Sequence, residues 1–153
     1  MRDSLLFCLD KFHVSLPAYV FMPTHLHMIL VFERKFKLSD FMRDFKKWTS
    51  VKILENLHNE NEFKLLRKMK YRLREQKHKV WQDRFDGYSL KHPNVVFQKM
   101  LYIHQNPVRK KLVEKAEDYF YSSAGFYKGH QNLFMPVNDL FEVMGWDERT
   151  LYL

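Results

Sequence analysis

Residues 18–32 read AYVFMPTHLHMILVF, two mostly apolar runs parted by Pro23-Thr24. The first run, 18–22, reads as a short strand beginning after Pro17. The second, 25–32, opens on two histidines and continues apolar on both faces, the pattern of a central strand covered on each side. Strand residues i and i+2 point to one face, so His25 and His27 can present both imidazoles to one metal ion. For any HxH pair the plain alternative is one packed ring and one solvated ring. This pair directly follows a turn and opens its strand, a place where sites tend to form on a rigid scaffold.

On the N-terminal side, Leu5, Leu9 and Phe12 recur at helical spacing within 4–12. Cys8, on that apolar stripe, reads as core and not as a nucleophile. On the C-terminal side, Ser39 is placed to cap a helix carrying Phe41, Phe45 and Trp48 on one face. The spacing then predicts a basic helix over 62–79. Leu66, Met69 and Leu73 form its apolar stripe, and Arg67, Lys70, Arg74 and Lys77 recur at i, i+3, i+7 and i+10. Residues 80–85, the turn Asp86-Gly87 and residues 88–90 read as a β-hairpin. Pro93 opens a further helix, which Asn106-Pro107 closes because a residue before proline is pushed out of the helical region. The aromatic tail reads as turns and a short helix. With no repeat, low-complexity tract or linker, the expectation is one α+β domain over 1–153, its antiparallel sheet packed by helices.

Set at 100° per residue, residues 94–106 place Val96, Phe97, Met100, Leu101 and Ile103 on one arc. Tyr102, Asn106, Gln98, Lys99 and Gln105 lie opposite. An aromatic ring on the polar side of a half-buried helix is not ordinary core packing. Asn106, at i+4 from Tyr102, is its neighbour on that surface. The plain alternative is a rim tyrosine and a capping asparagine. His104 falls in the apolar arc and reads as a satisfied structural histidine.

Twenty-six Lys and Arg against eighteen Asp and Glu give a net charge of +8, which points to a polyanionic partner. No apolar run approaches the roughly 20 residues of a spanning helix, and residues 1–12 lack the layout of a signal peptide; no membrane partner is expected. The single cysteine excludes an internal disulfide and suits a reducing, cytoplasmic interior. Residues 61–80 hold eight Lys and Arg against two Glu, and Arg34, Lys35, Lys37, Arg43, Lys46 and Lys47 make a second cluster. A charge run is usually a solvated face. With Trp48, Tyr71 and Trp81 interleaved, the two clusters better fit a surface that tracks phosphates and stacks bases. Phosphate-binding glycine loops, CxxC pairs and GxSxG elbows are absent.

Residues 18–32 resemble the MPNHxH signature of transposases with a single catalytic tyrosine. VWQDRFDGYSL at 80–90, YIHQNPVRKKLV at 102–113 and DYFYSSAGFY at 118–127 are similar to the downstream blocks of the REP-associated branch of the HUH superfamily, the IS200-like transposases. The blocks come in the family's order over roughly 18–127. The resemblance implies a ferredoxin-like fold. It implies His25 and His27 as metal ligands with Asn106 completing the shell, Tyr102 as nucleophile, and Mg²⁺ or Mn²⁺ as cofactor. Its substrate would be single-stranded DNA near hairpins, for which the charge clusters themselves offer Arg67, Lys70, Arg74, Lys77, Lys46 and Lys47; a homodimer is compatible with the resemblance. Position 24 is Thr where the family usually has Asn, in a residue that shapes the turn. The family's strand before the first helix has no counterpart, since the sequence opens in that helix. The alternative readings are a domesticated or truncated binder of single-stranded or hairpin nucleic acid, and a metal-dependent phosphodiesterase in which water attacks.

Overall fold

The strands expected on either side of Pro23-Thr24 form a β-hairpin over 14–32, whereas the hairpin expected at 80–90 does not form. In the computed structural model, which describes residues 1–33, 37–69 and 78–146, β1 (Val14–Phe21) pairs antiparallel with β2 (Leu26–Phe32). The Met22 amide donates to the His25 carbonyl at 2.8 Å, closing the two-residue turn Pro23-Thr24. The first strand begins at Val14 and not after Pro17. Ser15 pairs with Val31 and Ala18 with Ile29, so β1 carries one extra residue there. That bulge accommodates Pro17, which has no amide to give the ladder.

It is β1, not β2, that is buried on both faces. Seven of its eight residues are buried, whereas β2 is half-buried apart from Ile29. Each edge of β1 is covered. One pairs with β2; on the other, the Phe21 amide donates to the Tyr121 carbonyl at 2.9 Å, the Tyr19 amide to Ser123 Oγ at 2.9 Å and the Leu16 amide to Asn138 Oδ1 at 2.8 Å. The tail that covers this edge forms two 3₁₀ turns (Ala116–Asp118 and Ser123–Lys128) and a short helix, α5 (Leu140–Met144). The class is therefore α+β, an antiparallel sheet packed by helices, as expected.

Two compact units are present: His13–Arg34 with Tyr88–Leu153, and Met1–Phe12 with Lys35–Gly87. The first holds the hairpin, the tail and α4 (Pro93–Arg109). One face of β1 (Ala18 and Val20, with Met22 beyond its end) meets Ile29 of β2, Val96, Met100 and Ile103 of α4, and Leu140. Leu101, expected in the apolar arc of α4, is 47% exposed. The helix opens at Pro93 as read, but it runs through Pro107 to Arg109. Proline removes the amide that would bond the carbonyl of Ile103. Asn106 Nδ2 replaces it, donating to the Ile103 carbonyl at 3.3 Å and the Tyr102 carbonyl at 2.9 Å.

The second unit pairs α1 (Arg2–Phe12) with α2 (Leu38–Asn59). Leu5, Cys8 and Phe12 are buried, with Phe41 and Phe45 of α2. Phe12 meets Phe41 edge-on at 5.8 Å, and Lys11 bonds Asp44 at 2.6 Å. Burial, then the Asp44 charge, pushes the Cys8 thiol up to about 11, as an inert core thiol requires. The cap of α2 is Lys37, whose carbonyl takes the amides of Asp40 and Phe41, so Ser39 lies inside the first turn and does not cap it. Trp48 is 43% exposed and reaches Phe7, away from the buried pair.

The basic helix is short. α3 spans Phe63–Lys68 with Leu66 buried, and the Lys79 amide donates to the Met69 carbonyl at 2.7 Å. Lys70, Tyr71, Leu73, Arg74 and Lys77, like Arg34 and Lys35, lie outside the described residues. At 80–90 no strand forms. The carbonyls of Gln82, Asp83 and Arg84 turn onto Lys46 Nζ at 2.7, 3.4 and 3.3 Å, and Trp81 Nε1 donates to Thr49 Oγ1 at 2.8 Å. Among the described residues no helix is long and apolar enough to cross a membrane.

Candidate active site

Strand register decides which way the histidines face. Val20 pairs with His27 and Ala18 with Ile29. Directly opposed residues share a face, so His27 lies on the side of the sheet that packs on α4. His25, two residues earlier and just ahead of β2, shares that side: the two ring centroids are 5.0 Å apart. The ring of Tyr102 stands 6.0 Å from that of His27. Strand parity and a single helix thus bring three of the expected site residues together, across 75 positions of sequence.

Each ring has its own setting. Thr24 Oγ1 lies 3.0 Å from His25 Nδ1. With Nδ1–H as the donor, Nε2 keeps its lone pair, the arrangement that orients a ligating imidazole. Burial, then the neighbouring His25, lowers the pKa of His27 and favours its neutral, electron-donating form. Among the described residues no group of three His, Cys, Asp or Glu side chains gathers to hold a metal. A metal held by the two imidazoles would need a third donor of another type.

Asn106 offers one. It is 7% exposed, contrary to its expected place on the polar arc, because its Nδ2 is turned inward onto the helix carbonyls. Those two acceptors fix which side-chain atom is nitrogen. Among the described residues its Oδ1 receives no hydrogen bond, and no buried polar side-chain atom lacks a partner, so this oxygen meets solvent. Two imidazoles and an amide oxygen are donor types that a divalent ion with mixed nitrogen and oxygen ligands accepts.

Tyr102 is 42% exposed. Arg109, which the sequence reading did not single out, lies with its guanidinium carbon 4.5 Å from the Tyr102 ring centroid. Lys99 Nζ is 5.6 Å from the same ring and 5.9 Å from that of Tyr88. Arg109 is at i+7 from Tyr102, two turns along the same stripe. Ending the helix at Asn106 hid that relation.

The other tyrosines divide. Tyr119 donates to the Phe21 carbonyl and Tyr127 to the Pro17 carbonyl, each at 2.9 Å, and burial raises both phenols' pKa. Tyr121 is 47% exposed, its ring 5.1 Å from Phe134. His104 is buried as expected. Its Nε2 shares a 2.8 Å hydrogen bond with Ser123 Oγ, and burial pulls its pKa down to about 4.

Of the described residues expected to grip DNA, Lys46 is occupied by the carbonyls of 82–84. Lys47 is exposed, 5.6 Å over the Trp48 ring, and Arg67 lines an open depression with His58, Phe63, Leu66 and His78.

A family model described as "Transposase IS200 like" matches residues 1–106. Among solved structures the chain is similar to a REP-associated tyrosine transposase bound to a REP hairpin. The TM-score is 0.60 at 19% identity, over 91% of this chain and 74% of that one, a shared fold. Comparison with curated proteins gives no match.

Proposed function

Because the chain belongs to the IS200-like transposase family, we propose that it cuts and rejoins single-stranded DNA near hairpins, with Tyr102 as nucleophile. The observation that carries this reading is the exposed phenol ring set 6.0 Å from His27, between two cationic side chains. His25, His27 and Asn106 Oδ1 would hold Mg²⁺ or Mn²⁺. When bound, such an ion supplies charge neutralisation on the non-bridging phosphate oxygens.

Tyr102 Oη forms a bond to phosphorus as the bond to the 3′-oxygen breaks. The phenol loses its proton and the departing 3′-oxygen gains one. A 5′-phosphotyrosine results, which conserves the bond for rejoining without a nucleotide cofactor. Within one copy of the chain the rings of His25, His27 and Tyr102 come together, which supports their acting as one site. The REP hairpin held by the structural neighbour supports hairpin-flanked DNA as substrate.

The test is a denaturing gel of the protein with labelled, hairpin-flanked single-stranded DNA and Mn²⁺. Wild type should give a covalent adduct, with mass spectrometry placing it on Tyr102. Tyr102→Phe keeps the ring on an exposed helix face, so it should bind DNA as before and give neither adduct nor cut product. Cleavage by the Phe variant would assign the attack to water, and binding without any wild-type adduct would favour a non-catalytic binder.

A further inference from the structure

Beside the nucleophile, aromatic rings and cations alternate: Tyr88, Lys99, Tyr102, Arg109. Lys99 stands between the rings of Tyr88 and Tyr102, and Arg109 lies over the second ring. Tyr88 is 76% exposed, the most open large apolar side chain among the described residues. Nothing in the fold requires that: the neighbouring Leu90 and Phe97 pack on the core while Tyr88 does not. Among the described residues neither Lys99 nor Arg109 has a carboxylate within ion-pair distance, although five other ion pairs form. Two unneutralised cations interleaved with two open rings match the repeat of a single strand, whose phosphates seek cations and whose bases stack on any aromatic face.

Resting on the proposed function, we infer that Tyr88, Lys99 and Arg109 form a nucleotide subsite next to Tyr102, in which one unpaired base stacks on Tyr88 and the adjoining phosphates lie on Lys99 and Arg109. The subsite accepts single-stranded DNA of any sequence, since every base offers a face to stack. It rejects duplex, whose base faces are covered.

The experiment measures equilibrium binding without chemistry, using the full chain with Tyr102→Phe, in chelator, and a fluorescein-labelled oligothymidylate. Tyr88→Ala should weaken binding about tenfold, leave the salt slope unchanged and leave the melting temperature in place. Tyr88→Trp should restore affinity. Lys99→Gln and Arg109→Gln should each flatten the salt slope by about 0.7. Duplex of the same sequence should compete poorly. Unchanged affinity in Tyr88→Ala, failure of Tyr88→Trp to restore it, unaltered salt slopes in both Gln variants, or equal competition by duplex would each overturn the subsite. These readouts stand apart from cleavage. A wild-type chain that forms no adduct but obeys them loses its proposed chemistry and keeps the subsite; one that forms the adduct but disobeys them does the reverse.

Discussion

Replacing His25 or His27 by Ala removes one imidazole from a face that carries two. Cleavage should fall by at least about 100-fold, the upper range for disturbing even an outer contact of a metal. DNA affinity should persist, because phosphate contacts supply it. Single-turnover cleavage beside anisotropy in the same buffer separates the two, and normal cleavage by both variants would remove the metal assignment. Asn106 makes a subtler case. Its Nδ2 donates to the carbonyls of Tyr102 and Ile103, so Asn106→Asp would set a carboxylate oxygen against two acceptors. This isosteric change should cost about 1–3 kcal/mol, read as a lower denaturant midpoint at constant slope. The histidine pair was legible in sequence because strand parity has period two and needs no tertiary knowledge. The inward turn of Asn106 was not, because the helix was read as stopping where Pro107 in fact continues it.

Among elements, α2 separates two lysines that look alike in sequence. Lys46 Nζ holds the carbonyls of 82–84, and burial lowers its pKa, whereas Lys47 is exposed above Trp48. Lys46→Gln should therefore reduce stability by about 1 kcal/mol with little change in the salt dependence of DNA binding. Lys47→Gln and Arg67→Gln should do the opposite, each flattening the slope by about 0.7 if it meets a phosphate. Melting curves and salt titrations of the three variants decide the matter, and a flattened slope for Lys46→Gln would return that residue to the DNA surface. The hairpin expected at 80–90 is missing for the same reason. Asp-Gly between apolar runs is a strong local turn signal, yet here the backbone carbonyls find a lysine ammonium in place of a partner strand. The true hairpin turns on Pro-Thr, which gives a weaker signal, and its first strand contains a proline that only a bulge accommodates. Helix α4 was read correctly at its start because proline fixes a first turn by itself.

For the molecule as a whole, pH should act on stability through His104. An unfolded histidine takes its proton near 6.5 and the folded one only near 4. Between those values the unfolded chain holds the extra proton, so stability is complete above about pH 6.5 and declines as pH falls towards 4. The loss amounts to about 3 kcal/mol. Chemical denaturation from pH 7.5 to 4.5 should show that decline, and His104→Asn, though less stable throughout, should show a shallower one; parallel curves would place the sensitivity elsewhere. The α+β class followed from the alternation of patterns along the sequence. The division into two units did not, because each is assembled from segments distant in the chain and no linker composition marks the joins. The coverage of β1 has a consequence for biosynthesis. The strand is made with apolar side chains on both faces, yet its outer edge is closed only by the later residues 121–123 and 138. At translation rates of about 5–20 residues per second, that edge stays open for something like ten seconds, a sticky template for any passing strand.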